Sequence, residues 1–132
     1  MTAIDISDSA ITEVQQRAKA AGVQCTFLVG DVTDTKLTGT FDFIYDRACF
    51  HFVLEEKRAQ YVDIVKKHLA PNGYFLLIAS SDTDPVHGPY RFSAAQLREI
   101  FKDFEVVDLR LITLVHHEEK PQPYLCLMRK KS

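Results

Sequence analysis

The chain has 132 residues, of which 46% are hydrophobic and 26% charged, and its formal net charge is −2. This length allows one globular domain with a core but is short for two. The near-neutral charge argues against a nucleic-acid partner. No apolar run approaches the ~18 residues of a membrane span, so we expect no membrane partner. The three cysteines form no CxxC pair, which favours a reducing compartment and a cytoplasmic location.

The first third of the chain predicts a strand, a helix and a second strand. The apolar run Thr2–Ile4 ends at Asp5, and a helical pattern over 8–21 follows. Asp8 and Ser9 stand where a cap and a first-turn acid belong, and Gly22 supplies the stop. The next strand, 25–29, leads into Gly30 and Asp31.

The remainder predicts four more strands and two helices. A third strand ends at Asp46, as the first two ended near acids. A capping box at Ser93 and Gln96 starts the last helix. In chain order the predicted elements are a strand over 41–45, a helix over 55–69, a turn over 70–73, a strand over 74–79, a helix from 93, and strands over 104–115 and 124–128.

This alternation predicts an α/β fold with one domain over 1–132. The sheet should be mostly parallel, with its last two strands antiparallel because no helix joins them. Ligands of such sheets bind at the carboxyl ends of the strands. Asp5, Asp31 and Asp46 would line that rim, where carboxylates accept hydrogen bonds from hydroxyl or amino groups. Alternatively, each acid caps the turn that follows it.

Several segments together resemble the class I S-adenosylmethionine-dependent methyltransferases, over residues 2 to about 129. The motifs are TAIDIS, FLVGDVTD, FDFIYDRACFHFV and LAPNGYFLL, together with the terminal antiparallel strand pair. DRACFHFV is similar to the DRG-type segment of the thiopurine- and tellurite-methyltransferase-like branch, with Ala48 where glycine is usual. The resemblance implies a Rossmann-like methyltransferase sheet and methyl transfer from S-adenosylmethionine to a small-molecule acceptor.

By position, the resemblance implies a set of cofactor-binding residues. Asp5 would bind the ribose hydroxyls, and Ile6 would pack on the adenine ring. Asp31 would accept a hydrogen bond from the adenine amino group, with Val32 beside it. Asp46 would lie near the methionine part of the cofactor. These roles suit the chemistry, since carboxylates accept hydrogen bonds and an aliphatic side chain suits the face of a ring.

The resemblance also implies catalytic residues near the methyl acceptor: Asp46, Arg47 and His51, with Phe50 beside them. His51 would serve as a base where the acceptor must lose a proton. Two alternatives stay open. His51 is equally interpreted as a structural histidine, and Arg47 as the ion-pair partner of Asp46 or of another acid.

Two further groups of reactive side chains are expected to have no catalytic role. Cys49 has no activating partner in the sequence and is expected to pack rather than act as a nucleophile. His116, His117, Glu118 and Glu119 lack the spacing of metal ligands, so the sequence predicts no metal site.

One family motif is missing from this sequence. The glycine-rich loop that follows the first strand of the family does not occur, because the five glycines form no GxGxG-like group. By this comparison the sequence begins at the family's second strand and is N-terminally truncated. The sheet gap could close by pairing of the Asp5 and Asp46 strands, or a partner or second copy could donate a strand; otherwise the chain would be marginally stable. The alternative function is therefore a non-catalytic interaction module, or a truncated gene product that pairs with another chain.

Overall fold

The computed structural model describes residues 1–34, 36–47, 49–84, 90–115 and 118–131. The chain folds into two compact units, residues 1–37 and 38–132. The single domain over 1–132 stays a prediction. Three residues that the sequence singled out, Ala48, His116 and His117, lie outside the described residues.

The first unit contains two parallel strands and one helix, as the sequence predicted. Strand β1 (Thr2–Asp5) pairs with β2 (Thr26–Val29), so that Asp5 is opposite Val29. Helix α1 (Asp8–Ala21) connects them, and Gly22 ends it with a left-handed φ of 70°. A residue with a side chain would be strained at that φ, which explains the glycine stop.

The N-terminal cap of α1 lies one residue before the expected position. The cap is Ser7, whose extended backbone precedes the helix and whose hydroxyl oxygen accepts a hydrogen bond from the Ala10 N–H. Asp8 is in the first turn, where its charge is favourable near the helix N-terminus. Ser9 lies inside the helix and is not the cap.

The second unit contains a four-stranded sheet with the order β3-β4-β6-β5. β3 and β4 are parallel, whereas β4 with β6 and β5 with β6 are antiparallel. This confirms the antiparallel terminal pair. The elements are β3 (Phe41–Arg47), α2 (Arg58–His68), β4 (Leu69–Ala79), α3 (Ala94–Ile100), β5 (Phe104–Leu111) and β6 (Tyr124–Lys130).

Three predicted boundaries in this unit are wrong. The helix expected over 55–69 begins with a separate 3₁₀ turn, Glu55–Lys57, and α2 itself ends at His68. The strand expected to continue to residue 115 ends at Leu111. Residues 70–73, expected to be a turn, belong to β4, because its pairing with β3 already begins at Leu69.

The irregular start of β4 explains why a turn was expected. The register between β3 and β4 shifts between Phe41 and Phe43, and Asn72 has a positive φ of 63°. A Cβ atom on Gly73 would lie 2.8 Å from the carbonyl oxygen of Ala70. Turn-forming residues therefore produce a bulge within a strand here.

The core of the second unit is an aromatic cluster on one face of its sheet. The ring centroid of Phe50 lies 4.9 Å from that of Tyr61, 5.2 Å from that of Phe92 and 5.1 Å from that of Phe101. Helix α2 buries Tyr61 and Val65 on one of its faces. Among the described residues, no helix is both long and apolar enough to cross a membrane.

Candidate functional site

The acids that follow β1 and β2 lie at the same end of this parallel pair. Asp5 is the last residue of β1, and Asp31 follows β2 by two residues. The Gly30 N–H donates a hydrogen bond of 2.9 Å to the carbonyl oxygen of Asp5, which joins the two strand ends. The first unit therefore has the two acids at adjacent strand ends, as expected for a ligand-binding rim.

Both carboxylates are oriented by the turns that follow them. Oδ1 of Asp5 accepts a hydrogen bond of 2.8 Å from the Ser7 N–H. Oδ1 of Asp31 accepts hydrogen bonds from the N–H and hydroxyl of Thr33, at 2.8 and 2.6 Å. The turn-capping interpretation is thus correct for both acids. It does not exclude ligand binding, because an ionised carboxylate offers about four acceptor positions.

The two apolar residues beside these acids differ in exposure. The side chain of Ile6, directly after Asp5, is 72% exposed. Val32, directly after Asp31, is partly buried. An exposed aliphatic side chain next to an oriented carboxylate can contact the face of a ring while the acid binds polar groups.

Asp46 has a different environment, inside the second unit. It is buried, and its carboxylate accepts hydrogen bonds from the Cys49 N–H, at 2.9 Å, and from the Tyr61 hydroxyl. Burial raises the pKa of Asp46, although these hydrogen bonds oppose the rise by favouring the charged form. Burial and the nearby Asp46 carboxylate raise the pKa of Tyr61 well above its ordinary value.

These bonds make Asp46 the anchor of the segment that follows β3. The carboxylate connects the strand to the turn at 49–52 and to helix α2, fifteen positions along the chain. The sequence predicted a helix here but did not single out Tyr61 as a partner of Asp46. A tyrosine among aliphatic residues was the available signal, because a buried hydroxyl requires a polar partner.

Arg47 is the last residue of β3 and is exposed, whereas Asp46 before it is buried. Successive residues of a strand point to opposite faces of its sheet. The two side chains therefore lie on opposite faces, and the ion pair considered between them is not formed.

His51 lies in the 3₁₀ turn Phe50–Phe52 and is half-buried. Its Nδ1 is 3.3 Å from the backbone nitrogen of Ser80 and 3.3 Å from the Ser80 hydroxyl oxygen. Burial lowers the pKa of His51, and the negative charge of Asp84 partly opposes this. The histidine thus links the turn to the end of β4, and no sequence pattern pointed to Ser80 as its partner.

The thiols differ from one another in exposure. Cys49 is exposed, so the expectation that it packs is wrong. Cys126 is buried, and burial raises the pKa of its thiol to about 11.

The candidate metal ligands at 116–119 are only partly described: Glu118 and Glu119 are, but the two histidines before them are not. Within the described ranges, no group of three or more histidine, cysteine or acidic side chains is arranged to hold a metal ion.

Comparison with known proteins places this fold among methyltransferases. TehB from Haemophilus influenzae, described as a probable S-adenosyl-L-methionine-dependent methyltransferase, is 23% identical over 112 residues, covering 82% of this chain and 39% of TehB. The crystal structure of TehB matches 98% of this chain and 49% of its own, with a TM-score of 0.80. NodS from Bradyrhizobium japonicum, an N-methyltransferase in complex with S-adenosyl-L-homocysteine, matches 99% of this chain and 66% of its own, with 17% identity and a TM-score of 0.81.

A second curated relative is the carboxy-S-adenosyl-L-methionine synthase of Campylobacter concisus. It is 30% identical over 76 residues, which cover 58% of this chain and 32% of the synthase. The chain therefore spans 39% and 32% of the lengths of the two curated relatives that it matches.

The fold is thus a Rossmann-like methyltransferase fold. A family model described as a methyltransferase domain matches residues 1–73, and the chain belongs to that family. This confirms the resemblance to class I methyltransferases, and the match to TehB confirms the branch.

Proposed function

We propose that this chain is part of an S-adenosylmethionine-dependent methyltransferase that acts on a small-molecule acceptor. The observation that carries the proposal is the pair of oriented carboxylates, Asp5 and Asp31, at adjacent carboxyl ends of β1 and β2. Family membership supports it, as does the complex of NodS with S-adenosyl-L-homocysteine.

In this proposal the first unit binds the adenosine end of the cofactor. The exposed carboxylate of Asp5 accepts hydrogen bonds from the ribose hydroxyls, and Ile6 contacts the adenine ring. Asp31 accepts a hydrogen bond from the adenine amino group, and Val32 lies beside it. The Ser7 and Thr33 donors hold both carboxylates in place before a ligand arrives, which reduces the ordering cost of binding.

The second unit carries the residues assigned to the methionine end and to the acceptor. Bound S-adenosylmethionine supplies a methyl group on a positively charged sulfur, which keeps the S–CH₃ bonding pair when an acceptor lone pair forms the new bond. Such a displacement needs alignment and exclusion of water more than covalent help. Asp46 contributes by fixing the turn that carries His51, and Arg47 is an exposed cation at the strand end.

Calorimetry with S-adenosylmethionine tests the proposal. We expect millimolar binding or tighter, weakened about tenfold by Asp5→Ala, since a hydrogen bond to a charged group contributes about 1.5–3 kcal/mol. Asp8→Asn is the matched control, because Asp8 is also exposed in the same unit but is not assigned to the cofactor. No binding by the folded chain, or equal loss in both variants, would refute the site.

The acceptor and the location complete the proposal. We expect a small molecule, such as a thiol or another soft nucleophile, to be methylated. Measuring the release of S-adenosylhomocysteine with each member of a panel of acceptors would identify it.

The cytoplasm is the proposed location, since all three cysteines are free thiols.

A second candidate function, a module that pairs with another chain or a second copy, is favoured by β3. This strand is at the edge of its sheet, and it exposes Phe43 and Tyr45, at 55% and 53%. Exposed edge strands with apolar side chains are templates for pairing. Light scattering distinguishes the candidates: a stable complex that is lost in Tyr45→Lys supports pairing, and a strict monomer argues against it.

A further inference from the structure

The hydrogen bond between Ser80 and His51 determines which ring nitrogen of His51 carries the proton. The backbone nitrogen of Ser80 is 3.3 Å from Nδ1. A backbone N–H can only donate, so Nδ1 must present its lone pair. In a neutral imidazole the other nitrogen then carries the hydrogen. The ring is therefore held with Nε2 protonated.

The protonated nitrogen is the one that remains available to a ligand. Within the described part of the chain, the only buried side-chain nitrogen or oxygen without a hydrogen-bond partner is Nε of Arg58. Nε2 of His51 has no hydrogen-bond partner among the described residues and is not one of those buried atoms, and the side chain is partly exposed. The side chain thus presents an N–H group outward, while its lone pair is used inside the fold.

Two observations favour the neutral ring. Protonation of Nδ1 would set two N–H groups against each other across the 3.3 Å contact with the Ser80 nitrogen. Partial burial also lowers the pKa of His51, against the opposing charge of Asp84.

The exposed Phe52 ring, with its centroid 4.7 Å from that of the His51 ring, adds a flat apolar surface beside the histidine.

We propose that His51 holds the methyl acceptor as a hydrogen-bond donor through Nε2–H, and that it is not the base of the reaction. This inference rests on the proposed function. A base must offer a lone pair, and in this tautomer the outward nitrogen has none. The acceptor class that fits is a small molecule with a carboxylate or carbonyl oxygen next to a flat apolar part, which lies on Phe52. Ser80 is the positioning residue for the histidine.

Long-range ¹H–¹⁵N correlation spectra of the whole chain at neutral pH test the tautomer. We expect His51 to show an unprotonated Nδ1 and a protonated Nε2. His68 is an internal control with the opposite tautomer, because its Nδ1 is 2.7 Å from the Gly39 carbonyl oxygen, which can only accept. Ser80→Ala should leave the His51 pattern unchanged, since the backbone N–H remains. A His51 ring protonated at Nδ1 would overturn the proposal.

Titration with benzoate, a flat ring that carries a carboxylate, tests the donor role. We expect a saturable shift of the His51 Nε2 signal, and binding about tenfold weaker in His51→Phe than in the wild type. His51→Gln places an amide N–H near the position of Nε2 and should retain most of the affinity. Equal loss in both variants, or no shift of Nε2 at about 10 mM benzoate, contradicts a donor role.

These measurements separate the inference from the function on which it rests. Neither spectrum requires S-adenosylmethionine. If the tautomer and the benzoate shift are observed but the cofactor does not bind, the proposed function fails and the donor site stands. If the cofactor binds but Nδ1 carries the proton, the donor role alone is wrong.

Discussion

The two units of the chain differ in how much apolar surface they bury. In residues 1–37, Ile11 is the one described hydrophobic side chain that is buried, and most of α1 is exposed. In the second unit, six aromatic side chains are at most 3% exposed: Phe50, Tyr61, Phe75, Phe92, Phe101 and Phe104. Since burial of apolar area is the main favourable contribution to folding, we expect the second unit to be the more stable one.

This difference bears on the candidate functional residues of each unit. Asp5 and Asp31 are presented by the unit with the smaller core, whereas Asp46 and His51 are held by the unit with the larger one. A ligand that binds only the folded state stabilises that state by mass action. Cofactor binding is therefore expected to protect residues 1–37 more than residues 38–132.

The largest expected effect comes from removing a ring of the aromatic cluster. Phe101 is fully buried, with its centroid 5.1 Å from that of Phe50 and 5.9 Å from that of Phe75. Phe101→Ala should lower the free energy of unfolding by about 3–5 kcal/mol. Urea denaturation measures this loss. Phe43→Ala is the control, with an expected change within about 0.5 kcal/mol because Phe43 is 55% exposed; similar losses in both variants would contradict the assigned core.

A smaller effect is expected from the two serine caps, one in each unit. Ser7 caps α1 and Ser93 caps α3 with a complete capping box. Loss of such a cap costs about 1 kcal/mol. Ser7→Ala should speed hydrogen exchange within α1 and leave the main urea transition in place, whereas Ser93→Ala should shift that transition. A shift of the main transition by Ser7→Ala would show that the units unfold together.

The smallest expected effect concerns Asp46 and the pH dependence of stability. Burial raises the pKa of Asp46 in the folded state, so the folded chain binds this proton more tightly than the unfolded chain. The free energy of unfolding should therefore fall as the pH rises from the unfolded pKa through the raised folded pKa. Urea titrations at several pH values should show this fall in the wild type, and Asp46→Asn should lack it.

Asp42→Asn provides the comparison for that experiment, because Asp42 is on the same strand but exposed. It should keep the pH dependence of the wild type. If Asp46→Asn and the wild type lose stability in parallel across this window, burial of the carboxyl group does not control the trend.

Local sequence determined the elements and the acids that follow them. The cap and stop residues of α1 and α3 act within a few positions, through Gly22 and the Ser93–Gln96 box, so their helices could be predicted closely. Asp5 and Asp31 also act locally, since each carboxylate binds a backbone N–H two residues ahead. The family resemblance rested on these same local segments.

Only the tertiary structure determined the features that depend on contacts between residues far apart in the sequence. The sequence did not indicate that the Asp46 carboxylate would be buried against Tyr61, or that His51 would receive a hydrogen bond from Ser80, twenty-nine positions away. The sequence also predicted a turn over residues 70–73. In the structure Pro71 and Gly73 belong to β4 instead, because the pairing of β4 with β3 begins before them, at Leu69. In each case the partner comes from another element, so the protonation of a side chain or the path of a strand depends on packing that no local pattern records.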